Sequence, residues 1–144
     1  MKDQVKLSIK TKQIPHGPDG GVHEGQDVST YETTASYFQK ENSHYLMYEE
    51  VLDGYKDPFR TRLKLKDGSL EINRAGSIRQ RMLFEQGNVY CMDYATPYGT
   101  FVLEMRTKVL SVYHGEEELT VIAEYDIFSE GQKVSENRIE IRAK

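Results

Sequence analysis

The chain has 144 residues, 38% of them hydrophobic and 29% charged, and a formal net charge of −4. That length supports one well-formed core and excludes two. The acidic balance argues against a generic affinity for nucleic acid or acidic membranes, and no stretch approaches the roughly 20 apolar residues of a membrane helix.

In chain order the pattern is almost entirely that of strands. Val5, Leu7 and Ile9 alternate with Lys6, Ser8 and Lys10, which predicts a first strand over 3–13 with one buried and one wet face. Residues 15–25 hold four glycines and two prolines, so a flexible loop or flap is expected at about 15–27. Strands follow at 28–40, rich in Thr, Tyr and Ser, and at 44–52. A meander then runs through 59–66, 69–75, 78–85, 89–95, 100–113, 118–129 and 134–142, with Gly-containing turns between most of them. Asp67-Gly68 between two alternating runs signals a tight hairpin in which both turn residues want positive φ. Thr96-Pro97-Tyr98-Gly99 suits a type I turn. No amphipathic helix competes over any long window.

A meander of this length must close or stack on itself, and closure removes the edge strands that invite aggregation. The expectation is an all-β, single-domain chain over 1–144: one antiparallel meander closed into a β-barrel of about 8–10 strands. The inward faces of the third and seventh strands stay open. Leu46/Tyr48 and Met47/Val51 are equally apolar choices, as are Tyr90/Met92 and Val89/Cys91.

Catalytic constellations are sparse. Tyr48-Glu49-Glu50 offers two carboxylates, but adjacent strand residues point to opposite faces and cannot jointly flank one bond. Cys91, the single cysteine, excludes an internal disulfide and is expected as a small core residue. Together with a polar N-terminus lacking an apolar signal core, it points to a cytoplasmic protein. None of the four histidines shows metal-ligand spacing; His16 and His23, with Asp19 and Glu24, could clasp a divalent ion in the flap, but a solvated loop is the reading preferred. There is no phosphate-cradling loop leading into a helix and no nucleophile elbow. The reading is of a protein that is not an enzyme and takes no cofactor or metal.

Two features break the alternation. Assigning the inner face by apolar dominance places Arg74, Gln80, Thr107 and Tyr125 on it, with Tyr37 as a further wall residue. An inward arginine needs charge and hydrogen-bond partners. It can anchor the carboxylate or phosphate of a ligand, or pair with Glu49 or Glu50 and close one barrel end. Outside, Arg60, Arg62, Lys64 and Lys66 line one strand and Arg79 and Arg81 another. Six cations on two strands, separated by one strand between them, could engage RNA or another polyanion. Glu71 and Glu85 dilute the patch, and the sequence shows no stacking aromatics among these cations, which weighs against nucleic acid.

Tyr48-Glu49-Glu50, Arg74-Ala75-Gly76 and Tyr94-Ala95-Thr96-Pro97-Tyr98-Gly99-Thr100, in this order and spacing, resemble the YwiB-like family of small bacterial proteins. The resemblance implies a calycin, or lipocalin-like, β-barrel and carries no catalytic or binding residue with it. The Gly-x-Trp motif of true lipocalins is missing, since the chain has no tryptophan. The expected function is non-catalytic binding of a small anionic or amphipathic molecule inside the barrel, with Arg74 as anchor. The alternative is an interaction module for protein or RNA on the outer surface, with a homodimer left open and no membrane partner.

Overall fold

The computed structural model describes residues 3–16, 26–52, 54–96 and 98–144. The core of the expected 15–27 loop, including His23, Asp19 and Glu24, and the turn residue Pro97 lie outside the described residues.

Ten strands form one antiparallel sheet: β1 (Gln4–Pro15), β2 (Asp27–Lys40), β3 (Ser43–Glu50), β4 (Phe59–Lys66), β5 (Ser69–Ala75), β6 (Arg79–Phe84), β7 (Val89–Thr96), β8 (Gly99–His114), β9 (Leu119–Ser129) and β10 (Gln132–Ala143). Their order is β6-β5-β4-β3-β2-β1-β10-β9-β8-β7. The first and last strands of the chain, β1 and β10, pair directly, from Leu7 opposite Ala143 to Pro15 opposite Ser135. The sheet thus curls into a nearly closed barrel whose remaining seam lies between β6 and β7. These two strands are consecutive in the chain and pack together, but no ladder joins them among the described residues. Closure therefore does not remove both edges, as the sequence suggested. The seam is pinned by its turn instead: Gly87 N–H donates to the Thr107 carbonyl and Thr107 N–H to that of Asn88.

The alternation decides which side chains fill the bore. Leu46 and Tyr48 point inward on β3 and Met47 outward; on β7 Met92 is buried while Val89 and Cys91 are exposed. Cys91 is thus a surface thiol rather than the core residue expected. Leu46, Leu63, Leu65, Leu70 and Phe84 are fully buried in one cluster with Met105, Leu119, Val121 and Ile141. A long strand such as β8 follows the barrel's curvature through a bulge at Lys108, between Thr107 and Val109.

The turns depart from expectation at one point. Gly68 adopts φ 78°, but Asp67 does not take a positive φ. The doubly positive pair occurs instead at Glu130 (φ 51°) and Gly131 (φ 79°), between β9 and β10.

Because Leu46 and Met47 are neighbours on opposite faces, the assignment has a direct check. Leu46→Ala is expected to lower unfolding free energy by about 2–5 kcal/mol. Met47→Ala should change it by less than about 0.5 kcal/mol, read from urea denaturation.

Candidate functional site

Strand length creates the site. β2 has 14 residues and β3 has 8, and they are joined by a two-residue turn. Their ladder runs only from Lys40 opposite Ser43 to Ser36 opposite Met47. Beyond it, residues 27–35 pair with β1 alone, and Tyr48–Glu50 pair with β4 alone. The wall parts there, tied across by the Tyr31 hydroxyl, which donates to the Glu49 carbonyl at 2.9 Å.

Behind this gap lies an interior cavity of about 230 Å³. Its apolar wall is Ile9, Leu63, Ile72, Ile139 and Ile141; its polar wall is Thr11, Ser29, Tyr31, Tyr48, Glu50 and Arg74. Arg74 donates its Nε–H to Glu50 Oε1 at 2.7 Å, and the Thr61 hydroxyl donates to the same oxygen at 2.6 Å. Of the two carboxylates weighed in the sequence, Glu50 is therefore the partner of Arg74. Glu49 lies on the outer face opposite Arg60. The terminal amino groups of Arg74 have no protein partner among the described residues. Burial holds the Tyr48 phenol well above its ordinary value, reinforced by the Glu50 carboxylate and opposed by Arg74. The site thus combines free guanidinium donors, a phenol and a charge-compensated carboxylate beside an apolar wall.

The other expected interior residues do point inward or lie buried, but none lines this cavity among the described residues. Gln80 is buried opposite Arg74 in the β5–β6 ladder. Thr107 serves the seam. Tyr125 packs edge-on against Phe84, with centroids 4.8 Å apart. Tyr37 lies toward the opposite end, where its hydroxyl and His44 Nδ1 share a hydrogen bond at 2.6 Å and the His44 ring packs 4.8 Å from that of His114. Burial pushes the His44 imidazole below its ordinary value; His114 adds to the shift and Asp67 opposes it.

Sequence reasoning found Arg74 and one of its two candidate partners, but not the wall residues from β1, β2 and β10. The mismatch between a long second strand and a short third one was a legible sign that the wall would part.

On the outside, the cations of β4 meet side chains from β3 that the sequence reading had not placed beside them. Tyr45, the register partner of Lys64, has its ring 5.7 Å from Lys64 Nζ and 6.0 Å from the Arg62 guanidinium carbon. Phe38 of β2 stacks on Tyr45 with centroids 4.6 Å apart and planes 7° off parallel. Glu71 binds Arg81 at 2.9 Å and lies 3.8 Å from Arg62; the Arg81 hydrogen bond holds its carboxyl below the usual range. The expected lack of aromatics among these cations is corrected: they come from adjacent strands.

A ten-stranded, nearly closed antiparallel barrel with one part of its bore unfilled defines the class of protein. The chain belongs to the family described as Domain of unknown function (DUF1934), whose model matches residues 7–141. It is 27% identical over 127 residues to the uncharacterized β-barrel protein YwiB of Bacillus subtilis (strain 168), covering 88% of this chain and 84% of that protein. The crystal structure of the B. subtilis ywiB protein matches its fold with a TM-score of 0.77 at 23% identity, over 100% of this chain and 94% of that one. No helix among the described residues is long and apolar enough to cross a membrane.

Two expectations follow from the geometry. Glu50→Ala strands the Arg74 charge and should cost about 1–3 kcal/mol, less than a fully buried pair because water reaches both groups. The double variant Glu50→Ala/Arg74→Met should recover much of that loss in a denaturation cycle. His44, whose folded value lies below the unfolded value of about 6.5, contributes stability that is complete above that pH. That contribution is lost as pH falls toward the folded value, so the thermal midpoint should decline below about pH 6.5. His44→Asn, which keeps a hydrogen-bonding group for Tyr37, should flatten the decline.

Proposed function

We propose that the protein is a non-catalytic, cytoplasmic binder of a small anionic or amphipathic molecule held in the bore beside Arg74. One observation carries the reading: an inward arginine lines a cavity of about 230 Å³, and among the described residues its terminal donors have no protein partner. The volume exceeds a few waters at about 30 Å³ each and exceeds the ~150 Å³ that suffices for benzene.

Charge balance favours the amphipathic half of the proposal. Glu50 already compensates Arg74, so a second buried anion would meet a carboxylate as well as a guanidinium. A ligand with an apolar body for Ile72, Ile139 and Ile141 and a hydrogen-bonding head for Arg74 and Tyr48 uses every wall. The lipocalin-like carriers suggested by the family resemblance bind ligands inside their barrels, which agrees with this reading by analogy of fold. Thr11 and Ser29, whose hydroxyls lie 2.6 Å apart, form the β1–β2 side of the cavity.

Native mass spectrometry of the protein purified from its own host should show a small bound mass. The bound fraction should fall about tenfold or more in Arg74→Met, the loss expected when a charged hydrogen bond disappears. It should also fall in Thr11→Phe, which narrows the cavity. A parent protein with no bound mass, and no response to added benzamide or benzoate, contradicts the proposal.

A further inference from the structure

The stacked rings and the cations of the outer wall form a second surface, separate from the bore. Phe38, on the outer face of β2, is exposed. With one ring face on Tyr45, what it offers to solvent is the other face and edge. Tyr45 in turn carries Lys64 and Arg62 alongside it. From β2 to β4 the outer face therefore reads ring, ring, cation.

Next to this row an open groove of about 450 Å³ runs over Met47, Glu49, Arg60, Arg62, Asn73 and Ala75. Met47, its apolar floor, is exposed. Arg60, Lys66 and Arg79 have no carboxylate within ion-pair distance among the described residues. Glu71 engages Arg81 and Arg62, and Glu49 stands opposite Arg60 without an ion pair within 4.0 Å. The face stays basic within a chain of net charge −4, so its sign is a local construction rather than a consequence of composition.

We propose that this face, centred on Phe38, Tyr45, Arg62 and Lys64, binds single-stranded nucleic acid. Bases would stack on the exposed Phe38 ring and the half-buried Tyr45 beside it, while phosphates are met by Arg60, Arg62, Lys64 and Lys66. Unpaired bases present flat π-faces that such a platform accepts with little regard to sequence, and cations beside it track the backbone. Charge complementarity favours an anionic partner on this face. The ring pair selects one that carries planar groups, since a polyanion without rings would use the cations and leave Phe38 idle. The overall acidity sets the expected strength as moderate and salt-dependent.

Fluorescence anisotropy with labelled U12 RNA and T12 DNA, each at about 50 and about 200 mM salt, tests the proposal. Binding of either oligonucleotide, weakening roughly tenfold or more between those concentrations, is the expected result. Phe38→Leu keeps apolar bulk at a surface position and should weaken binding about tenfold while leaving the salt slope unchanged. Phe38→Trp should restore it. Arg62→Gln and Lys64→Gln should each lower the slope by about 0.7. Absence of salt-dependent binding overturns the proposal. So does polyphosphate binding as tightly as the oligonucleotides with no effect of Phe38→Leu, which would make the face a site for anions in general.

Discussion

The bore of a ten-stranded barrel has to be filled, and everything specific about this molecule follows from where it is not. Elsewhere Leu, Phe, Val and Met side chains pack into one buried cluster. At the end where β2 and β3 part, the wall supplies Arg74, Glu50, Thr61 and Tyr48 instead. A guanidinium brought this far from water requires a counter-charge and hydrogen bonds. Glu50 supplies the counter-charge through one oxygen atom, and the same oxygen accepts the Thr61 hydroxyl's hydrogen bond.

The alternation of strands was legible almost residue for residue, because one buried face and one wet face impose a period of two that few other structures mimic. β4 and β5 fall where Leu63, Leu65, Leu70 and Ile72 require. The inward faces of β3 and β7 were not legible, since both faces carry apolar groups of similar size. The barrel resolves the tie by placing Met47, Val89 and Cys91 at the surface. Arg74 announced itself by violating the pattern. Its neighbours in the cavity did not, because Ile9, Ile139 and Ile141 come from β1 and β10, whose pairing depends on closure and not on any local signal. Cross-strand partners such as Tyr45 and Lys64 were hidden for the same reason: they are 19 positions apart in the chain and adjacent only through register.

Inside and outside use their charges differently. Within the bore, Arg74 is balanced by a carboxylate under partial burial, so the pair sets local polarity and orientation more than net charge. On the outer wall, Arg60, Lys66 and Arg79 stand in solvent, where single ion pairs contribute little to stability. Their shared sign acts over distance instead. A barrel separates the two settings by the thickness of one strand, as neighbours Thr61 and Arg62 on β4 illustrate: the first donates to Glu50 inside, the second lies beside Tyr45 outside.

The central claim is that the bore beside Arg74 is open to a small molecule. A 15N-edited NMR titration with benzamide, a neutral amphipathic probe, tests it most directly. The account predicts shifts concentrated at the amides of Ile9, Tyr31, Ile72 and Ile139 and at the Arg74 Nε–H, and their disappearance in Thr11→Phe. Shifts scattered over the outer surface, or none at these positions at any benzamide concentration short of unfolding, would contradict it.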